Sequence, residues 1–223
     1  MNPVAKRVLT GLSIAAVVIA AIVFAPKCLF APVILALIAL AVVEYAALLK
    51  VKVPVKSVGF AAALVVGALV IGCGLWSLVR WSAIGGDQGG LWLLYIVAIV
   101  KFSDVGGFAF GLTSAKLLKG GNHKLCPSVS PGKSWEGLAG SLILSSVVSC
   151  CFLALTHFGI GKALAFGVAA ALVGTFGDLV ESKFKRWVGV KDSSAFKFTN
   201  GMGGILDMLD SLLFAPAVLL PFV

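Results

Sequence analysis

The stretch GDLVESKFKRWVGVKDSSAFKFTNGMGGILDMLDS, residues 177–211, is a polar segment between long apolar runs. It contains five of the nine acidic residues of the chain: Asp178, Glu181, Asp192, Asp207 and Asp210. It also contains five basic residues, which are Lys183, Lys185, Arg186, Lys191 and Lys197. Charged side chains at membrane depth are costly, and by default they mark function. We therefore interpret the rest of the chain as a scaffold that holds this segment.

The composition is typical of an integral membrane protein. Of 223 residues, 60% are hydrophobic and 12% are charged, and the mean hydropathy is +1.09. A soluble domain usually has about 25% charged residues. The net charge of +9 could suggest nucleic acid, but the basic residues lie between apolar runs and do not form one surface. We therefore expect anionic lipid head groups and phosphate substrates as partners, and no nucleic acid.

Seven apolar runs are long enough to cross the hydrocarbon core of a bilayer. They cover residues 8–25, 29–49, 58–79, 91–113, 137–156, 163–182 and 204–222. None shows the period-2 alternation of a membrane barrel, and backbone groups in lipid must be satisfied internally. The sequence therefore predicts an all-α polytopic membrane bundle of about seven transmembrane helices. With no internal repeat or linker, we expect one domain over residues 1–223.

The basic residues are distributed unevenly between the two sides of this bundle. Fourteen of the eighteen lie in the N-terminus and in the second, fourth and sixth loops, and only three lie on the opposite side. The positive-inside rule therefore predicts a cytoplasmic N-terminus. The two most polar loops, which are loop four (residues 114–136) and loop six (residues 183–203), then face the cytoplasm together.

Two predicted spans contain isolated charges. Glu44, in VVEYAALLK, is interpreted as a helix-packing carboxylate rather than a catalytic one. In KFSDVGGFAFG, residues 101–111, Lys101 and Asp104 are three residues apart and could form a structural ion pair. We favour a functional role for Asp104, because the glycines that follow would let another helix or a ligand approach. Those glycines are Gly106, Gly107 and Gly111.

Loop four ends in SPGKSWEG, residues 130–137. Ser130 and Lys133 could bind phosphate, and Ser134 is predicted to cap the next helix, whose N-terminus favours anions. The segment is not a Walker A loop. An ordinary turn followed by a helix cap explains these residues equally well.

The polar segment itself divides into a basic helix end and an acidic helix start. Asp178, Glu181, Ser182, Lys185 and Arg186 recur at three- and four-residue steps, which predicts one polar helix face. Asp207 and Asp210 are three residues apart at the start of the last helix, and they would repel each other without a proton or cation between them. Oxygen ligands without Cys or His select a hard ion such as Mg²⁺. We favour a metal site over helix capping alone.

These four segments resemble the signature of the phosphatidate cytidylyltransferase (CDP-diacylglycerol synthase) family. SKFKRWVGVKD and GMGGILDMLDSLLFAP are similar to its pattern S-x-x-K-R, then K-D, then H-G-G-x-x-D-R-x-D. SDVGGFAFG and SPGKSWEG are similar to its segments S-D-T-x-A-Y-x-x-G and S-P-K-K-T-W-E-G. Met202 stands where the family usually has His, Met208 where it has Arg, and Gly132 where it has the first Lys of K-K-T.

The resemblance implies a Mg²⁺-dependent enzyme that transfers CMP from CTP to phosphatidic acid, forming CDP-diacylglycerol and pyrophosphate for phospholipid synthesis. It implies metal ligands at Asp192, Asp207 and Asp210, with a second cation as an option. It implies catalytic roles for Asp104, Lys185, Asp207 and Asp210. It implies substrate binding by Ser130, Lys133, Ser182, Arg186 and Lys191.

The implied location is the bacterial plasma membrane, with the active site facing the cytoplasm. A homodimer is a further possibility that the resemblance raises. Two other functions remain as alternatives at this point. One is a CTP-dependent lipid kinase of related type, which would release CDP. The other is a non-enzymatic, cation-coupled membrane transporter, although the charges crowd one side and no paired repeat is present.

Overall fold

The protein is an all-α polytopic membrane protein, as the sequence predicts. A computed structural model describes residues 16–190 and 204–223. Its helices are α1 (residues 16–24), α2 (Phe30–Lys52), α3 (Val58–Ile84), α4 (Gly89–Leu117), α5 (Trp135–Cys151), α6 (Leu153–Thr156), α7 (Ile160–Val188) and α8 (Ile205–Leu219). Among the described residues, five helical segments have the length and apolar composition of a membrane span.

The predicted spans correspond to these helices in order. The five long segments are Lys27–Lys52, Val58–Ile84, Gly86–Leu117, Ile160–Val188 and Ile205–Phe222, and they match predicted runs two, three, four, six and seven. The fifth run, 137–156, divides into α5 and the short α6. The first run, 8–25, lies partly outside the described residues, as do Lys191, Asp192 and Met202.

Loop four contains a small β-hairpin that the sequence did not predict. Strand β1 (Lys124–Cys126) pairs antiparallel with β2 (Ser130–Ser134), with an irregular register between Lys124 and Cys126. The predicted cap at the end of this loop is confirmed, because the Ser134 hydroxyl accepts a hydrogen bond from the Gly137 N–H at 3.1 Å. The hairpin was missed because its strands are short and lack apolar alternation.

Helices α4 and α5 are in close contact through glycines. A Cβ added to Gly140 would lie 2.6 Å from the Gly106 carbonyl oxygen, so only glycine fits there at this helix separation. The neighbours of Gly107 and Gly111 also belong to α5 or its cap residue. The sequence allowed either another helix or a ligand to approach these glycines, and in the structure the partner is helix α5.

The end of α3 and the start of α4 form an aromatic cluster, which consists of Trp81, Trp92 and Tyr95. Each pair of these rings has centroids 6.1 Å apart. Trp81 and Tyr95 are fully buried. The Trp81 indole N–H donates to the Pro216 carbonyl of α8 at 2.8 Å, and the Tyr95 hydroxyl bonds Ser149 of α5 at 2.9 Å. This cluster therefore connects α3 with α4, α3 with α8 and α4 with α5 at one end of the bundle.

Candidate active site

Loop four meets α7 through one buried ion pair. The Lys133 ammonium, on β2, donates to Asp178 Oδ2 at 2.8 Å and to the Thr175 carbonyl at 3.1 Å. Their side chains are only 23% and 21% exposed. Lys133 was predicted to bind substrate phosphate, and the structure shows it paired with the first carboxylate of the polar segment.

Helix α4 meets α8 through Lys101 and Asp104. The Lys101 ammonium donates to Asp104 Oδ2 at 3.1 Å, to the Ser211 hydroxyl at 2.9 Å and to the Met208 carbonyl at 3.0 Å. The Ser211 hydroxyl in turn donates to Asp104 Oδ2 at 3.0 Å. The ion pair that was considered from the sequence is therefore present, and it continues into the last helix.

Helix α7 meets α8 through Lys185. Its ammonium lies 2.8 Å from Glu181 Oε2 and 2.6 Å from Asp207 Oδ1. The three side chains are 13%, 6% and 12% exposed, respectively. Asp207 Oδ2 also accepts a hydrogen bond from the Gly204 N–H at 3.0 Å. Asp207 thus pairs with a lysine and stabilises the start of its own helix, where the sequence assigned it to a metal ion.

Asp104, Asp178 and Asp210 form what we call the carboxylate cluster. These side chains come from α4, α7 and α8, and they interact electrostatically with one another and with Lys101. Lys133 is the second cation at this cluster, through its pair with Asp178. Three carboxyl groups and two ammonium groups therefore lie together where loop four, α4, α7 and α8 meet.

The carboxylate cluster has the donor chemistry of a hard cation site. In the described parts of the chain, no three side chains of His, Cys, Asp or Glu converge closely enough to hold a metal ion by themselves. Mg²⁺ in proteins, however, is commonly held by one or two carboxylates together with substrate phosphates. Asp178 Oδ1 is buried and has no hydrogen-bond partner among the described residues. An oxygen atom in this state fits a cation that arrives with the substrate.

The other described residues of the predicted site, which are Ser130, Ser182 and Arg186, show no contact with the carboxylate cluster. Ser130 is half-buried at the start of β2, and Ser182 is half-buried on α7. Arg186 is exposed, and its guanidinium donates to the Val190 carbonyl at 3.5 Å. Lys191 and Asp192 lie outside the described residues, so their assignment stays a prediction.

A second group of contacts fastens the hairpin to the start of α5. The His123 ring nitrogen Nδ1 lies 2.6 Å from Glu136 Oε1, and the His123 N–H donates to the same carboxylate at 3.2 Å. The Trp135 N–H donates to the His123 carbonyl at 2.9 Å. The hydrogen bond from His123 lowers the pKa of Glu136 from 4.5 to about 2. This pair therefore holds the loop that carries Lys133.

One residue at the site, Ser211, was not singled out from the sequence, and Glu181 was placed on the polar helix face without a role of its own. Ser211, directly after Asp210, joins Lys101 to Asp104, and Glu181 shares Lys185 with Asp207. Glu44 Oε2 accepts a hydrogen bond from the Leu206 N–H at 2.7 Å, which is the helix-packing role favoured for it. A signal for both was available in the sequence. Ser211 directly follows Asp210 and Glu181 directly precedes Ser182, and both of those neighbours had been assigned to the site.

The sequence matches the cytidylyltransferase family over residues 56–223, which is most of the chain. The chain belongs to the cytidylyltransferase family. This match includes every described residue of the carboxylate cluster, loop four and the Lys185 group. The family resemblance drawn from the four motifs is thereby confirmed.

Similar proteins with curated names point to the same family. The phosphatidate cytidylyltransferase of Staphylococcus aureus (strain COL) is 41% identical over 130 residues, which is 57% of this chain and 47% of that protein. The protein of that name from Mycobacterium bovis (strain ATCC BAA-935 / AF2122/97) is 39% identical over 130 residues, 57% of this chain and 39% of its own. The matched segment thus spans less than half of each relative.

The arrangement can bind and neutralise phosphate groups at one end of the helix bundle. Lysine side chains from loop four, α4 and α7 lie beside carboxylates from α4, α7 and α8. A cytidylyltransferase must hold a triphosphate and stabilise the charge that develops as its phosphates separate. Partly desolvated cations next to carboxylate oxygens are suited to this chemistry.

Proposed function

We propose that this protein transfers CMP from CTP to phosphatidic acid, forming CDP-diacylglycerol and pyrophosphate. One observation carries the proposal: motif residues far apart in the chain converge on one polar cluster at one end of the bundle. Asp104 and Ser211 are 107 residues apart in sequence and are hydrogen-bonded at 3.0 Å. Lys133 and Asp178 are 45 residues apart and are also hydrogen-bonded. A solvated helix end does not need such pairing across elements.

The reaction is a displacement at the α-phosphorus of CTP. An oxygen of the phosphatidic acid phosphate attacks, a new P–O bond forms, and the bond between the α-phosphorus and the bridging oxygen breaks. The electron pair leaves with pyrophosphate. A phosphate monoester is already ionised near neutral pH, because its second pKa is about 6. The protein therefore needs no strong base, and catalysis rests on positioning and on charge neutralisation.

The residue roles follow from the contacts. Lys133 would bind a substrate phosphate at the edge of the cluster, with Ser130 beside it on β2. Lys185, held by Glu181 and Asp207, would neutralise the triphosphate, and we retain Ser182, Arg186 and Lys191 as further phosphate ligands. Asp207 acts in this proposal by orienting Lys185.

Asp210 and Asp178 would hold Mg²⁺ together with CTP phosphates, with Asp104 beside them in the carboxylate cluster, and we retain Asp192 as a further ligand. When bound, the ion would neutralise charge on the leaving pyrophosphate. The protein's own contribution is to hold these partly buried carboxylates beside Lys101. The orphaned Asp178 Oδ1 supports this assignment.

The assay that tests the proposed activity uses purified protein in lipid, CTP labelled in its α-phosphate, phosphatidic acid and Mg²⁺. We expect the label to appear in CDP-diacylglycerol and unlabelled pyrophosphate to be released. Removal of Mg²⁺ by EDTA should abolish the formation of both products. Release of CDP instead of pyrophosphate would favour a lipid kinase, and absence of any nucleotide product would overturn the proposal. Asp210→Asn should lower turnover by about 100- to 1,000-fold. Asp87→Asn is the matched control, because Asp87 is fully exposed between α3 and α4.

We also propose that the active site faces the cytoplasm of a bacterial plasma membrane. The charge bias of the loops supports this orientation. Cys28, which is exposed between α1 and α2, and Cys126, on β1, would then lie on opposite sides. A membrane-impermeant thiol reagent should label Cys28 in spheroplasts and reach Cys126 only after lysis. A homodimer stays a prediction, which mass measurement of the protein in detergent would check.

A further inference from the structure

Glu44 is a buried carboxylate on α2 that contacts the first turn of α8. Its side chain lies in the second membrane span, and the residue is only 1% exposed. Its Oε2 accepts a hydrogen bond from the Leu206 backbone N–H at 2.7 Å, across 162 residues of sequence. The helix that it contacts carries Asp207 and Asp210.

The first turn of α8 lacks a side-chain cap from its own cap residue. The first four N–H groups of any helix have no partner within the helix. The cap residue of α8 is Gly204, which has no side chain, and Asp207 reaches back to the Gly204 N–H. In an ordinary capped helix, an oxygen of the cap side chain accepts from the second or third helical residue. Leu206 is the second residue of α8, so Glu44 supplies from another helix the oxygen that Gly204 cannot.

Packing alone does not explain a carboxylate at this position. A leucine of similar volume would fill the space between α2 and α8, and it would avoid the cost of burying charge in a membrane span. A negative group beside the N-terminus of a helix interacts favourably with the helix dipole. The carboxylate therefore has a partner that an apolar side chain would not.

We propose that Glu44 is a positioning residue, which caps α8 from α2 and thereby fixes the orientation of Asp207 and Asp210. The capping contact stands on the geometry alone, whereas its effect on turnover rests on the proposed function. Helix α2 precedes residues 56–223, so this role adds an element outside the part of the chain that matches the family.

The neighbouring residue Tyr45 provides a control on the same helix. Its hydroxyl donates to the Ala63 carbonyl of α3 at 3.1 Å, and its ring stacks on Phe184 of α7 with centroids 5.0 Å apart. Tyr45→Phe therefore removes one hydrogen bond between helices and leaves the α8 cap unchanged. It separates a general weakening of α2 packing from loss of the cap.

The experiment compares Glu44→Leu, Glu44→Gln and Tyr45→Phe in the full chain by hydrogen exchange and by kinetics. Glu44→Leu removes the acceptor, and we expect exchange at the start of α8, residues 205–211, to rise about tenfold. Glu44→Gln keeps an acceptor oxygen of similar reach, so it should restore most of the protection. Tyr45→Phe should leave exchange in this peptide as in the wild type.

The kinetic measurement asks whether the cap acts on the reacting groups. Glu44→Leu should lower kcat by about 10- to 100-fold, because small misplacements of catalytic groups have effects of this size. The KM for CTP should change much less, and Glu44→Gln should recover kcat. A uniform loss of folded protein would not produce this split when rates are expressed per folded molecule.

The outcomes separate the cap from the proposed activity. Unchanged exchange at residues 205–211 in Glu44→Leu overturns the capping role, whatever the enzyme does. Raised exchange with an unchanged kcat overturns the positioning role. If Glu44→Leu does not fold, Glu44→Asp keeps the charge but retracts it by one methylene, and unchanged exchange in that variant would overturn the proposal. A wild-type protein without nucleotide products overturns only the proposed activity, since the exchange measurement does not use CTP.

Discussion

Two regions of the bundle that α4 connects are organised by different physics. Near the start of α4, Trp92 and Tyr95 pack with Trp81 in the aromatic cluster, where ring centroids are 6.1 Å apart. About 18 Å further along, near the middle of the helix, at a rise of about 1.5 Å per residue, Asp104 joins the carboxylate cluster. We call the first region the aromatic end of the bundle, and the carboxylate cluster together with the Lys185 group of α7 and α8 its charged end. The aromatic end is held by apolar contact and should set stability, whereas the charged end is held by ion pairs and should set activity.

The largest effect is expected where the charged end loses a shared cation. Lys185→Met leaves Glu181 and Asp207 without their common ammonium group, and breaking a buried pair from one side typically costs about 3–5 kcal/mol. We expect both a lower free energy of unfolding and almost complete loss of CMP transfer. Thermal denaturation and the product assay measure the two quantities separately.

Lys183→Met is the matched control for that variant. Lys183 lies on the same helix two residues earlier, and it is exposed. Its replacement should leave both stability and turnover near wild-type values. Wild-type stability in Lys185→Met would contradict the ion-pair interpretation of the charged end.

A smaller effect, confined to stability, is expected at the aromatic end. Trp81→Ala removes a fully buried ring and its hydrogen bond to the Pro216 carbonyl, which should cost about 3 kcal/mol. Turnover per folded molecule should stay within a few-fold of wild type. Trp76→Ala, on the exposed face of the same helix, should change little. A loss of turnover in folded Trp81→Ala comparable to that of Asp210→Asn would end the distinction between the two regions.

A change at the contact between α4 and α5 should destabilise the protein less than Trp81→Ala does. Gly140→Ala places a methyl group 2.6 Å from the Gly106 carbonyl oxygen, so the helices must separate. Overpacking of this kind costs about 1–3 kcal/mol. Gly72→Ala provides the control, because a Cβ at Gly72 meets no atom within 4 Å. We expect a lower melting temperature for the first variant and an equal or higher one for the second, since alanine favours helix.

The smallest effect is expected at the clamp between His123 and Glu136. His123→Ala should shift the melting temperature by no more than about 2 °C. The pKa of Glu136 is lowered in the folded protein, so its contribution to stability is present above pH 4.5 and is lost as the pH falls toward 2. The difference between wild type and His123→Ala should therefore disappear in that window. A difference that instead grows on acidification would contradict the hydrogen-bond geometry.

The helices could be predicted because they depend on local hydropathy. Among the described residues, five apolar runs are single helices of membrane-spanning length and the fifth run divides into α5 and α6. The Ser134 cap followed from a hydroxyl placed shortly before the fifth run. The hairpin of loop four could not be predicted, because strands of three and five residues carry too little periodicity.

The sequence named candidate site residues but not the contacts between them. The motifs identified Asp104, Lys133, Lys185 and the acidic start of α8, but spacing along one helix does not say which residues of other helices they meet. Asp207 and Asp210 are three residues apart, yet one pairs with Lys185 and the other joins the carboxylate cluster. Glu44 could not be assigned to α8 at all, because its partner is a backbone N–H 162 residues away.

Helix α8 is synthesised after all the helices that it binds. It supplies an acceptor to Lys101, a carboxylate to Lys185 and a backbone donor to Glu44. A nascent chain that stops before residue 205 would therefore hold these three side chains in the bilayer without those contacts. Lys101 would keep Asp104 and Lys185 would keep Glu181, but each would lack its contact to α8. Because charged groups in a membrane span are costly, docking of α8 would both complete the candidate site and lower the cost of the charges on the earlier helices.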